Sequence, residues 1–199
     1  RAACPYADLG SRYAAANCGP LFDDLEINRG WVRNAAGTDT ATSGRWAVGN
    51  PQPTSSGGAK QLGRTVSGIR ALVTGAAAGS SAGANDVDGG TTTIRSTAIR
   101  LPQDPAAYGN LTFSWVFAHG AGSSPDDALR VLVETEDGGQ TVVFEVLGRP
   151  ENVNGSWRTA SIPLEAWAGQ PIRLVIAAID GGRDNLVEAA VDDVRIRRP

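Results

Sequence analysis

Short runs of alternating apolar and polar residues fill most of the chain from residue 21 onward, and clusters of Gly, Pro, Asn and Asp separate them. Alternation with a period of two places successive side chains on opposite faces, which is typical of β-strands. The clearest run is 111–118, where Leu, Phe, Trp and Phe alternate with small or polar residues. We expect its aromatic face to lie on the core.

Two further runs predict how strands are arranged. An Asp-Gly-Gly sequence at 137–139 joins the runs 129–136 and 140–147. Because Asp and Gly tolerate the positive φ angles of tight turns, this pattern predicts a hairpin. In the run 172–179 nearly every position is apolar, so we expect that strand to be central in its sheet.

The number of strands indicates the fold class. Further strands are predicted at 21–26, 45–48, 69–74, 92–101, 157–162 and 187–196. About ten short strands without a long helix favour an all-β fold of two antiparallel sheets packed face to face, a β-sandwich or jelly roll. This domain would span residues 21–199, and its long loops 49–68 and 75–90 are the expected places for function.

Residues 1–20 are interpreted as a separate N-terminal extension that carries both cysteines, Cys4 and Cys18. A disulfide between them would close a short loop and stabilise it by about 3 kcal/mol. Two free buried thiols are the alternative. We favour the disulfide because the segment has little core of its own, and a disulfide implies an oxidising, extracellular compartment.

Composition and charge exclude several classes of function. The 18 basic and 21 acidic residues give a net charge of −3, so no general attraction for nucleic acid is expected. No stretch reaches the ~18 consecutive apolar residues of a membrane span. One histidine, His119, and two cysteines leave too few ligands for most zinc sites. The chain begins at Arg1 and has no methionine, so we interpret it as part of a longer protein.

The acidic turn at 85–90 is a candidate metal site. Asp86 and Asp88 are two positions apart and precede two glycines. Such a turn can direct several oxygens at one point, as calcium with its 6–8 oxygen ligands requires. Asp-rich turns are also common without a metal.

Two acidic pairs lie within apolar predicted strands, Asp23-Asp24 in the first and Asp192-Asp193 in the last. An uncompensated charge beside a core is strongly unfavourable. At least one member of each pair is therefore expected to meet a cation or a set of hydrogen-bond donors, while the other can be a solvated surface residue.

Three of the five tryptophans, Trp31, Trp157 and Trp167, lie near predicted strand ends or loops. If their rings are exposed, they can stack on a sugar, because an aromatic face is flat and apolar. A place in the core is the alternative interpretation for each of them.

Catalytic motifs are weak. Residues 79–83 match the Gly-x-Ser-x-Gly pattern of a nucleophile elbow. The other residue types of a catalytic triad, a histidine (His119) and aspartates, also occur in the sequence. That elbow needs a helix directly after the serine, and none is predicted here. We expect no catalytic residues; a free-standing lyase or esterase is the least favoured alternative.

Four blocks of sequence carry a family resemblance. They are residues 21–24 with Trp31, 44–51, 61–92 and 187–194. In this order and spacing the blocks resemble the jelly-roll accessory domain that follows the catalytic domain in secreted zinc carboxypeptidases of actinobacteria. The likeness to MAM domains and calcium-binding carbohydrate modules is more distant.

The resemblance implies a structural calcium ion bound by Asp23 and Asp192, with Asp86 or Asp88 closing the site. Asp24 is an alternative to Asp23, because this chain has Phe-Asp-Asp where many relatives have Phe-Glu. No peptidase activity is implied, since the zinc motif of the parent enzymes needs more than one histidine.

The sequence therefore favours a non-catalytic, calcium-stabilised accessory domain of a larger secreted hydrolase, with a peptidase as the expected parent. The parent catalytic domain in the same polypeptide, and a protein or polysaccharide substrate, are the expected partners. The alternative is a carbohydrate-binding module that targets a polysaccharide-active enzyme and binds through Trp31, Trp157 or Trp167.

Overall fold

The computed structural model describes residues 19–199 of the chain. The predicted disulfide between Cys4 and Cys18 lies outside these residues. Within them the structure is all-β, with short 3-10 turns at Pro105–Ala107 and Glu165–Trp167. The strands are β1 (Leu21–Asp23), β2 (Val32–Arg33), β3 (Trp46–Gly49), β4 (Ala71–Thr74), β5 (Gly90–Arg95), β6 (Ile99–Arg100), β7 (Leu111–His119), β8 (Ala128–Thr135), β9 (Gln140–Leu147), β10 (Arg158–Ile162), β11 (Pro171–Asp180) and β12 (Val187–Ile196).

The strands form two antiparallel sheets, as the sequence predicts. The first sheet has the order β10-β7-β12-β4-β3, and β1 also pairs with β12. The second sheet has the order β2-β5-β11-β8-β9, and β6 also pairs with β11. The predicted central strand, β11, lies between β5 and β8, and the predicted hairpin is the antiparallel pair β8 and β9. Gly138 in its turn has a φ of 87°.

The main core lies between the sheets. Phe113 and Trp115 of β7 reach across to Phe144 of β9, each with ring centroids 5.2 Å apart. The predicted aromatic face of β7 is therefore the core face. The opposite face is also buried, because Val116 and Ala118 form a second apolar cluster against which Leu62 and Trp157 pack.

Two predicted strands are shorter or interrupted. The first ends at Asp23, whose carboxylate accepts a hydrogen bond from the Leu25 N–H while Leu25 has a positive φ of 61°. The predicted strand 92–101 breaks after Arg95, because the Ser96 hydroxyl oxygen accepts the Leu174 N–H at 2.9 Å. In both places a side-chain oxygen takes a position that a backbone carbonyl fills in a regular ladder.

A β-bulge interrupts the last strand. The register of β12 against β7 shifts between Asp192 and Arg195, and Asp193 has a φ of 53°. The bulge inserts an extra residue, so that Val191 and Val194, three positions apart, both belong to the main core, while Asp192 between them is also buried. Within residues 19–199, no helix is long and apolar enough to cross a membrane.

Candidate functional site

The acidic pair of the first strand is neutralised by an arginine. Asp23 is buried, and its Oδ2 accepts the Trp31 indole N–H at 2.9 Å. The Arg29 Nε lies 3.5 Å from Asp23 Oδ1, and Arg29 Nη2 lies 3.1 Å from Asp24 Oδ1. Burial raises the pKa of Asp23, and the Trp31, Leu25 and Arg29 contacts oppose that rise. The expected compensating cation at this pair is a guanidinium group of the chain itself.

The acidic pair of the last strand is satisfied by hydrogen-bond donors. Asp192 Oδ2 accepts the backbone N–H groups of Val66 at 2.8 Å and Ser67 at 3.2 Å, and its Oδ1 accepts the Asp193 N–H at 2.7 Å. Asp193 receives the Ser67 hydroxyl and an Arg195 guanidinium N–H. Burial raises the pKa of Asp192 to about 6. Asp192 thus fastens the loop 64–68 to β12.

The acidic turn places its two aspartates in different surroundings. Asp86 is buried, and its Oδ2 accepts the Val187 N–H at 3.1 Å, but its Oδ1 has no hydrogen-bond partner within the described residues. Asp88 is half-buried and accepts the Ser43 hydroxyl at 2.8 Å. Burial raises the pKa of Asp86 to about 7, and the charge on Asp88 adds to that rise.

Two aspartates that sequence reasoning missed lie beside this turn. Asp180, the last residue of β11, is buried, and its Oδ2 accepts the Gly89 N–H at 3.1 Å. Asp184 follows in the exposed loop before β12. One carboxylate oxygen of each of Asp88, Asp180 and Asp184 lies within 4.8 Å of the other two. The sequence held no selective signal for them, since Asp-Gly-Gly occurs at 88–90 and 180–182 but also at the hairpin turn 137–139.

The structure does not gather the predicted metal residues into one group. Across residues 19–199, the cluster of three carboxylates at metal-ligand spacing is Asp88, Asp180 and Asp184. Asp23 and Asp24 contact Arg29, and Asp192 contacts backbone N–H groups. Metal binding by the predicted residues stays a prediction; they are Asp23, Asp24, Asp86, Asp88 and Asp192.

The three tryptophans that the sequence suggests for ligand binding differ in how much of their side chain is exposed. Trp31 is buried, with 5% of its surface exposed, which leaves little of its ring free for stacking, and a binding role for it stays a prediction. Trp157 is partly exposed and donates its indole N–H to the Arg64 carbonyl at 3.1 Å. Trp167 is partly buried against the main core. A binding role for Trp157 and Trp167 stays a prediction.

A groove of about 250 Å³ lies on the outer face of the second sheet. Its floor consists of the outward side chains of β11, Val175, Ala177 and Ile179. These side chains point outward because their neighbours, Leu174 and Ile176, face the core. The floor is therefore aliphatic.

One side of the groove is a fixed polar rim on β5, β8 and β9. Glu134 Oε1 lies 3.0 Å from Arg95 Nη1, and Glu134 Oε2 accepts the Gln140 amide N–H at 2.9 Å. All three side chains line the groove. Both oxygens of a largely buried carboxylate are thus held in position, which orders the hydrogen-bonding groups beside the floor.

No protein-family model and no curated protein matches this chain. Among solved structures, it is similar to the K2 cleaved adhesin domain of Lys-gingipain, with a TM-score of 0.48 and 15% identity over 90% of this chain and 98% of that one. It is also similar to the carbohydrate-binding module TmCBM61 in complex with β-1,4-galactotriose, with a TM-score of 0.42 and 11% identity over 85% and 88%.

A third similar structure is the CBM22-1 xylan-binding domain of Xyn10C from Paenibacillus barcinonensis, with a TM-score of 0.43 and 14% identity over 90% of this chain and 93% of that one. These similarities concern the course of the chain only. The narrower resemblance to the carboxypeptidase accessory domain stays a prediction.

Proposed function

We propose that this chain is a non-catalytic binding module of a larger secreted hydrolase and that its groove on the second sheet holds a polysaccharide chain. The observation that supports this proposal is the pairing of an aliphatic floor with a fixed polar rim. A sugar ring has the same two-part chemistry, because its C–H groups form an apolar face and its hydroxyl groups surround that face.

The rim can exchange several hydrogen bonds with sugar hydroxyls. Each oxygen of Glu134 has two lone pairs, of which Arg95 and Gln140 each use one. Arg95 has further N–H donors, and Gln140 has a carbonyl acceptor. Because Glu134 is already fixed by its two partners, little side-chain freedom is lost when a ligand binds.

The side chains at the floor of the groove are small enough to accommodate a sugar ring. Ala177 lies at the middle of β11, with Val175 and Ile179 at the adjacent outward positions. Ala177 and Val175 are largely buried at the bottom of the groove, and the short Ala177 side chain takes up the least space there. A bulky residue at this position would fill the groove without entering the core, since the side chain points away from it.

Retention of the full chain on insoluble glycans tests the proposal. Cellulose, xylan, galactan and chitin are incubated with the protein, and bound and free fractions are measured. We expect retention on at least one of them and its loss in Arg95→Ala and in Ala177→Phe. The matched control is Arg149→Ala, whose exposed ion pair with Glu151 has the same 3.0 Å separation as the Arg95–Glu134 pair but lies outside the groove.

Two outcomes contradict the groove as the glycan site. One is retention that persists unchanged in both groove variants. The other is retention that is lost in Trp157→Ala or Trp167→Ala instead, which would move the site to those rings.

A second candidate is the accessory domain of a secreted peptidase, with a protein as the partner. It is favoured by one observation, which is that no aromatic residue lines the groove, whereas stacking on an aromatic ring is a frequent way to bind sugars. Binding to the catalytic domain encoded in the same reading frame, together with no retention on any glycan, would support this candidate over the first.

A further inference from the structure

Seven carboxylates lie together where the loops 84–89, 121–127 and 181–186 meet. They are Asp86, Asp88, Asp126, Asp127 and Asp184 in the loops, with Asp180 at the end of β11 and Glu188 near the start of β12. Direct contacts connect these loops, since the Gly181 N–H donates to Asp127 Oδ1 at 2.8 Å and the Gly89 N–H donates to Asp180 Oδ2 at 3.1 Å. None of the ion pairs among residues 19–199 involves any of the seven.

We propose that Asp88, Asp180 and Asp184 bind a calcium ion at this acidic end of the sandwich. The first support is geometric, because one oxygen of each residue lies within 4.8 Å of the other two. Three oxygens at this spacing surround one point closely enough that small side-chain movements would bring all of them to the 2.3–2.6 Å typical of calcium. Of the three residues, only Asp88 belongs to the set that the sequence predicts.

The second support is an unsatisfied oxygen. Asp180 is 4% exposed, and its Oδ1 is buried with no hydrogen-bond partner within the described residues. A buried carboxylate oxygen without a donor is strongly unfavourable and rare in folded proteins. Burial raises the pKa of Asp180, and the charges on Asp127, Asp184 and Asp88 add to that rise. Since these neighbouring groups are themselves acidic, a bound cation is the partner that the site lacks.

The donor set selects the kind of ion. All three side chains offer hard carboxylate oxygens, which suit calcium or magnesium rather than the softer metals that prefer nitrogen or sulfur. Asp184 is exposed, so the site opens to solvent, from which an ion can enter. Asp88 and Asp184 come from irregular loops, which suits the less strict coordination geometry of calcium better than the octahedral geometry that magnesium demands.

The position of the site gives the ion a structural role. The loop that carries Asp88 connects β4 of the first sheet to β5 of the second, and the loop that carries Asp184 connects β11 of the second sheet to β12 of the first. An ion shared by the two loops fastens both crossovers at one end of the sandwich. Because it binds only the folded state, it stabilises that state by mass action.

The test is calcium titration of the full chain after removal of metals with a chelator. Isothermal titration calorimetry gives the affinity and stoichiometry, and thermal unfolding gives the melting temperature with calcium, magnesium or zinc chloride. We expect one calcium ion per chain at this site, a melting temperature that rises with calcium, and a smaller rise with magnesium. Asp184→Asn should weaken calcium binding about tenfold or more, since it removes one ligand charge from an exposed residue that folding does not need.

The matched control is Asp126→Asn, which removes the same charge from an exposed aspartate at the same end but outside the group of three. Its calcium affinity should stay within about twofold of the original chain. The proposal is overturned if calcium leaves the melting temperature of the original chain unchanged, or if Asp184→Asn binds calcium as tightly as the original chain. Equal weakening by both variants would also overturn it, because that result would indicate a diffuse attraction rather than a site.

Discussion

Lys60 and Asp180 are both buried charged residues without an oppositely charged group within 4 Å among residues 19–199. Lys60 Nζ donates to Asn152 Oδ1 at 2.8 Å, to the Val153 carbonyl at 2.9 Å and to Asn154 Oδ1 at 3.2 Å. An ammonium group has three donors, so its hydrogen bonds are complete. Asp180 has one oxygen bonded and the other without a partner.

The difference separates a structural charge from a candidate binding site. Burial lowers the pKa of Lys60 and raises the pKa of Asp180 to about 6, so desolvation opposes both charges. Only at Lys60 does the protein supply all the hydrogen bonds that replace water. At Asp180 the missing partner has to come from outside the chain.

The largest effect is expected from Lys60→Met, which keeps the length and apolar stem of the side chain. It removes the ammonium donor from three oxygen acceptors on 152–154, although the Val153 carbonyl still accepts the His119 N–H and Asn154 Oδ1 still accepts the Asn152 amide N–H. We expect a loss of about 3 kcal/mol in the free energy of unfolding. Urea denaturation measures this loss. The calcium-dependent rise in melting temperature should be retained, since Lys60 is no part of the acidic end.

An unchanged free energy of unfolding in Lys60→Met would contradict the distinction drawn between Lys60 and Asp180. It would mean that the three hydrogen bonds of the ammonium group contribute nothing net, and that complete hydrogen bonding does not distinguish Lys60 from Asp180.

A smaller effect is expected from Asp192→Ala. This variant removes the acceptor of the Val66, Ser67 and Asp193 N–H groups, and we expect a loss of about 2 kcal/mol in the free energy of unfolding. Calcium affinity should not change, because both oxygens of Asp192 already accept hydrogen bonds from backbone N–H groups. If this variant no longer binds calcium, the result would support the metal site that the family resemblance implies, in which Asp192 is a ligand.

The smallest effect is expected from Glu188→Gln. Unlike the two variants above, it should increase the free energy of unfolding. Burial, followed by the charge on Asp86, raises the pKa of Glu188 to about 9 from a reference of 4.5. Between those values the unfolded chain has lost the proton that the folded chain keeps, so stability falls as pH rises through this window. Gln carries no such proton, so the variant should be more stable than the original chain at pH 8 by about 1 kcal/mol or more.

Melting temperatures at pH 4 and pH 8, with chelator present, check this expectation. The difference between variant and original chain should be small at pH 4, where Glu188 is protonated in both states. A variant that is less stable at pH 8 would show that Glu188 is ionised in the fold and that another group compensates its charge.

Much of the fold could be predicted from local patterns. The alternation in β7, the Asp-Gly-Gly turn between β8 and β9 and the apolar run of β11 each correspond to the observed element. These features depend on neighbours within a few positions along the chain. The two-residue strand β2 was not predicted, because Val32 and Arg33 gain their strand geometry only by pairing with β5.

The candidate sites were predicted less well, for a related reason. The requirement that Asp23 and Asp192 meet a cation or donors follows from their apolar surroundings in sequence, and the structure confirms it. Which cation or donors they meet does not follow, since Arg29 lies six positions from Asp23 and Ser67 lies 125 positions from Asp192. The burial of Trp31, which lies in the main core and donates its indole N–H to Asp23, likewise does not follow from its place in the sequence.

The sequence by itself determined the all-β class, most strands, one hairpin and the need to compensate charges next to apolar runs, because periodicity and desolvation act on each segment separately. Only the tertiary structure decided that Asp88 meets Asp180 and Asp184, that Lys60 is enclosed by 152–154, and that Arg95, Glu134 and Gln140 share one rim. These groupings join loops and strands that are far apart in the chain, and strand order alone sets which of them become neighbours.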